Sequence, residues 1–175
     1  MKLSIKSITK VVSAVVAMAC CQTGFAQTTD SQVFRVRVPS VLSITSPADA
    51  LVDTTSDQTD GNKVFVPAGN WSVRCNAAAG ATVNLTAQSP FINGTSKRDA
   101  RLDLAVASGA PTWAVSTATA QTDYAGSVST ATVQAASSKP GAGALTLTVT
   151  FINTTYSDLT QGDYVMTVQG TIAAN

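Results

Sequence analysis

The sequence predicts an all-β protein, a sandwich of seven to nine short antiparallel strands. Three observations predict it. Beyond the first 26 residues, apolar side chains recur at every second position in run after run, and no window carries a helical period. Thr and Val, which suit a half-buried pleated surface, are abundant in these runs. Turn signals built from Gly, Pro and Asn separate them. The chain has 175 residues, 45% hydrophobic and 12% charged. That is long enough for one domain with a core of useful size and too apolar for a disordered chain.

The first 26 residues read differently. Met1–Lys10 carries Lys2, Lys6 and Lys10 and no acid, and an apolar run follows over Val11–Ala19. Gly24 and Ala26 then supply small residues at the −3 and −1 positions of a cleavage site. This is the three-part pattern of a secretory signal peptide, cleaved after Ala26. Lipoprotein processing at Cys20 or Cys21 is the rival, and Ala17-Met18-Ala19 lacks the Leu wanted three positions upstream of Cys20. Cleavage after residue 26 leaves 149 residues with eight Lys/Arg and ten Asp, a net charge of −2. No second apolar stretch approaches membrane-spanning length.

Within residues 27–175, expected to form a single domain, the strands follow in order. Phe34, Val36 and Val38 share one face of a run whose other face carries Arg35 and Arg37. Pro39 interrupts, which places the segment at a sheet edge or switch point, and Leu42 and Ile44 resume the inward face. Residues 27–38 thus form an N-terminal arm. Ser46–Asn62 is the longest loop candidate. Val64 and Val66 mark a short strand closed by Pro67 and Gly69. Trp71, Val73 and Cys75 share a face, as do Val83 and Leu85 in Ala81–Ala87. Asn93-Gly94 is a tight-turn signal. Leu102, Leu104 and Val106 alternate in Arg101–Val106, Trp113 and Val115 form a short piece, and Val128–Gln134 is a weaker run. After the turn at Lys139-Pro140-Gly141, Leu145, Leu147, Val149 and Phe151 alternate with threonines. The last run is Tyr164–Ile172.

Composition narrows the chemistry. There is no His, and all ten acidic residues are Asp. His-containing triads, zinc sites with His ligands and Glu-based acid–base work are therefore excluded, and an enzyme is not expected. No catalytic residue, cofactor site or metal site is assigned. A charge so near zero is unsuited to electrostatic nucleic-acid binding. Asp49, Asp53, Asp57 and Asp60 share a loop, but their spacing matches no calcium loop, and Asp60-Gly61 is ordinary turn chemistry. Lys97, Arg98 and Arg101 read as a solvated turn. Trp71 and Trp113 are candidates for stacking on sugar rings, yet each shares a face with a Val, which favours the core. Cys75 stands alone after the signal is removed, so it has no intrachain partner. Its apolar neighbours Trp71 and Val73 predict burial as a small hydrophobe.

The most specific motif is Leu159-Thr160-Gln161-Gly162-Asp163-Tyr164. In Ig-like sandwiches, a Tyr at the start of strand F returns its hydroxyl to the backbone a few residues upstream. Gly162 and Asp163 would make the turn, with Tyr164 opening strand F. The fold expected is then an Ig-like antiparallel β-sandwich ending without a strand G, with a core groove and an unpaired edge. A neighbour's extended segment can fill such a gap. The arm residues Phe34, Val36 and Val38 are the candidate donor.

On these residues, the chain resembles secreted Ig-like fimbrial subunits, particularly chaperone–usher pilins of the colonisation-factor type. The similarity lies in the alternating arm leading to VPSVLSITSP and in the closing QGDYVMTVQGTIAAN. It departs in lacking a near-terminal aromatic and a disulfide. The resemblance implies an exported subunit, passing through the periplasm to the cell surface and polymerising into an adhesive fibre or pilus by strand exchange. Its implied partners are other copies of the chain, a periplasmic chaperone and outer-membrane assembly machinery. The alternative expectation is a monomeric secreted carbohydrate- or protein-binding module.

Overall fold

A computed structural model of the chain describes residues 29–52 and 58–175. The expected signal peptide, its cleavage site, Asp53 and Asp57 lie outside the described residues. The chain divides between Arg37 and Val38. Before that division, residues 29–37 hold no strand or helix, and Val33, Phe34 and Val36 are 83–88% exposed. The strand expected over Val33–Val38 is therefore not formed. Alternation marks a chain suited to a sheet, but a strand exists only where a neighbour takes its main-chain hydrogen bonds.

From Val38 onward the fold is all-β, with no α-helix among the described residues. The described residues hold twelve strands: β1 (Leu42–Thr45), β2 (Lys63–Phe65), β3 (Trp71–Cys75), β4 (Ala81–Ala87), β5 (Phe91–Asn93), β6 (Ser96–Arg98), β7 (Ala100–Ser108), β8 (Trp113–Thr117), β9 (Thr119–Gln121), β10 (Ala131–Ser137), β11 (Gly141–Phe151) and β12 (Val168–Ala174). The count exceeds the expected seven to nine because four strands are only three residues long, too short to display a period. One sheet runs β1-β3-β11-β7-β9, with β2 also on β11, and the other runs β12-β4-β10-β8. Strands β5 and β6 form a separate hairpin whose two-residue turn is Gly94-Thr95, one residue beyond the Asn93-Gly94 signal. If β1, β3, β4, β7, β11 and β12 are read as A to F, the sheets are A-B-E-D and F-C, the Ig-like arrangement, with β8–β10 inserted between D and E.

Alternation places the core correctly. Val73 and Cys75 of β3, Val83 and Leu85 of β4, Leu102 and Leu104 of β7, Val133 of β10, and Leu145 and Leu147 of β11 interleave between the sheets. Each such side chain contributes roughly 1.5–3 kcal/mol when fully removed from water. Trp71 and Trp113 belong to the same core, and the Trp113 indole N–H is buried there without an acceptor among the described residues. In β2 the faces are the reverse of what Val64 and Val66 suggest. Those two valines are exposed, and Phe65 turns inward, because the ring finds aromatic partners.

Cys75 is buried. Its sulfur lies 3.5 Å from the Ser137 hydroxyl and 3.7 Å from the Lys139 carbonyl oxygen. Thiol labelling of the native protein is therefore expected to be slow and to accelerate on unfolding. Rapid native labelling would contradict this packing.

Candidate functional site

A groove of about 800 Å³, lined by apolar side chains and a nearly equal share of polar groups, opens along one side of the sandwich. Strand β11 explains its floor. One edge of β11 pairs with β7 from Ala144 to Phe151, while the other meets β3 at Gly141–Leu145 and β2 at Val149–Phe151. Residues 66–70 leave the sheet between β2 and β3, so the middle of β11 is uncovered on that edge. Trp71, Leu147, Val149 and Phe151 line the groove there. Residues 46–52 form one wall, and residues 162–168 form the other. The groove stops where β1 approaches β12. Gly170 permits that closure, since a Cβ there would collide with the Trp71 ring and lie 2.8 Å from Ile44 Cδ1.

One end of the groove is built from four rings. Phe65 stacks on Phe91 at 5.5 Å, Phe91 meets Phe151 edge-on at 5.1 Å, and Phe151 meets Tyr164 edge-on at 5.4 Å. Such pairs contribute roughly 0.5–1.5 kcal/mol beyond their area. The Tyr164 hydroxyl accepts a hydrogen bond from the Thr160 N–H at 3.0 Å. Gly162 makes the turn between them with φ +129°. The Asn93 side-chain amide donates to the Thr160 and Gln161 carbonyls at 3.2 and 3.1 Å, tying the turn to the β5–β6 hairpin. Tyr164→Phe should cost about 1 kcal/mol, because water replaces the lost partner of the exposed Thr160 amide. An unchanged melting midpoint would mean that the hydroxyl does not hold the corner.

Tyr164 does not open the last strand. β12 begins at Val168, and before it only Val165 bridges, to Ile92. The reason lies in what the neighbours offer. β4 ends at Ala87, so the main chain of residues 164–167 is bonded only to Gln88 and to Ile92 of the short β5.

The wall 164–168 nonetheless has a defined polarity. Val165 exchanges both main-chain hydrogen bonds with Ile92 at 3.0 Å, and the Thr167 carbonyl accepts from Gln88 N–H at 3.0 Å. In an extended chain, successive residues direct their amides to opposite sides. The N–H and C=O groups of Tyr164, Met166 and Val168 therefore point away from β4, toward the open groove. Among the described residues, no strand pairs with that edge of β12. The side chains of Tyr164, Met166 and Val168 pack against the core clusters, while Asp163, Val165 and Thr167 are exposed. The arrangement can accept an added strand: main-chain groups bind its backbone and the groove takes alternate side chains.

The other sequence-predicted residues lie elsewhere or do other work. Trp71 is 8% exposed and Trp113 1%, so neither ring presents a face for a sugar. Asp60 accepts the Tyr156 N–H through Oδ1, and the described residues hold no group of three potential metal ligands. Arg98 donates to Asn153 and to the Asp158 carbonyl, and Arg101 pairs with Asp103 at 2.9 Å. Phe34, Val36 and Val38 are not in a core, with Val38 75% exposed. Sequence reasoning missed Asn93 as a clamp on the corner, the ring cluster, and residues 46–52 as a wall. The recurrence of Phe at 65, 91 and 151 was the available signal, but nothing in their spacing brings the three together. Among the described residues, no helix is long and apolar enough to cross a membrane. No protein-family model matches the chain, and neither a curated protein nor a solved structure matches it.

Proposed function

We propose that this chain is a structural subunit of a bacterial surface fibre or secreted coat, assembled when the arm of one copy enters the groove of the next. One observation carries the reading: the unpaired edge at Tyr164–Val168 flanks a groove floored by Leu147, Val149 and Phe151, and the same chain exposes an alternating apolar arm. Phe34, Val36 and Val38 stand at strand spacing. Burying side chains of this size contributes roughly 1.5–3 kcal/mol each before ordering costs, and main-chain pairing along the edge adds to it. The resemblance of the arm and the closing segment to chaperone–usher pilins implies export through the periplasm, a periplasmic chaperone that shields the groove, and outer-membrane assembly machinery. Adhesion at the cell surface is then a property of the fibre.

Size-exclusion chromatography and electron microscopy of the exported protein test this. Ladders of oligomers or fibres are expected. A clean monomer at high concentration that binds a glycan or a protein ligand would replace the fibre reading with that of a monomeric binding module.

A further inference from the structure

The arm and the groove edge together specify a register, and the register singles out a charged pair. This step rests on the strand-exchange reading above. Every strand pair in the two main sheets is antiparallel, and antiparallel pairing is the more stable per residue. Tyr164, Met166 and Val168 direct main-chain groups to the open edge and side chains to the core. An added strand must therefore set its inward-facing residues directly opposite these three, using their own N–H groups. Phe34, Val36 and Val38 are three apolar residues at the right spacing, and none is Pro. Val38 falls opposite Tyr164, Val36 opposite Met166 and Phe34 opposite Val168.

Neighbouring registers are worse. A slip of one residue turns every side chain to the other face. A slip of two in one direction buries Gln32. In the other direction it buries Ser40 and sets Phe34 beside Gly170, where Ile44 and Trp71 already close the sandwich.

The outward face follows. Arg37 lies opposite Val165, and Asp163 is its diagonal neighbour on the same face, at a Cβ separation of roughly 7–8 Å that an Arg side chain spans. Asp163 is exposed and, among the described residues, makes no ion pair or hydrogen bond. The other charged groups lining the groove are Asp49 on the far wall and Lys63, whose ammonium donates to the Thr59 hydroxyl at 2.7 Å. We propose that Asp163 is the specificity-determining residue of arm capture, receiving Arg37 of an incoming copy of this chain docked antiparallel with Val38 opposite Tyr164. The apolar ridge supplies attraction for any register that buries it, and the charge pair disfavours those that carry Arg37 away from Asp163; the two-residue slip that would set Arg37 directly opposite Asp163 is the one that buries Gln32, and the unpaired amide excludes it.

Two measurements on the full chain test this. Protein carrying Arg37→Cys is mixed with protein carrying Val165→Cys under mild oxidant. These positions form a close non-hydrogen-bonded pair within disulfide reach, so a mixed dimer is expected. The pairing Arg35→Cys with Asp163→Cys, four residues out of register, should give at least about tenfold less. A reversed preference, or no cross-link while the parent protein still assembles, overturns the register and leaves strand exchange standing. A parent protein that does not assemble overturns strand exchange itself. In the second measurement, Asp163→Arg and Arg37→Asp should each slow assembly about fivefold, and the two in one chain should restore the rate to within about twofold. A double variant no faster than either single one overturns the role of Asp163.

Discussion

Val36→Asp should abolish fibre formation and leave the melting temperature of the subunit unchanged. Val36 is 88% exposed in the single chain, so it contributes nothing to the core of its own copy, and an exposed substitution of this kind shifts stability by no more than about 0.5 kcal/mol. In a neighbour's groove, the same position would face Met166 over the floor formed by Leu147 and Val149. A carboxylate placed there loses its water without gaining a partner. That costs several kcal/mol, comparable with all that the central side chain contributes. Chromatography should show monomer only, with an unaltered thermal transition. Fibres of normal length from Val36→Asp would sink the strand-exchange reading. A large loss of thermal stability would show instead that the arm completes its own domain.

Trp71→Ala should lower stability by about 3–5 kcal/mol, roughly a 10 °C fall in melting temperature for a domain of this size. Trp71 is 8% exposed, packs in the main core and touches the site of Gly170 where the sandwich closes. Its removal leaves a cavity that rigid sheets on either side cannot fill. The measurement also separates two functional readings. A ring that served as a sugar platform would be exposed, and its loss would cost affinity and not stability. An unchanged melting temperature would return Trp71 to the list of binding residues and weaken the account of the groove's closed end.

The corner at Tyr164 shows where local pattern stops carrying information. Gly162-Asp163-Tyr164 announced a turn with an aromatic returning to it, and the hydroxyl does meet the Thr160 amide. The alternation of the same run predicts a strand from Tyr164, whereas β12 starts at Val168. Side-chain alternation is a property of the extended chain, which persists through 164–167. Strand formation also requires a ladder, and the ladder depends on where β4 ends. The arm behaves alike: its alternation is genuine, but residues 29–38 hold no strand.

The sequence by itself determined the β-class, the inward face of β3, β4, β7 and β11, the burial of Cys75 and both Trp residues, and the absence of the side chains that acid–base catalysis most often uses. These follow from period and composition, which are local. Only the tertiary structure decided that Phe65, Phe91, Phe151 and Tyr164 meet, that residues 46–52 stand as a wall, that Val64 faces outward, and that the main chain of Tyr164, Met166 and Val168 is left open. Each of those depends on which strands become neighbours across long stretches of chain. Pairing is settled by the combined burial of two sheets, a quantity no single run of residues contains.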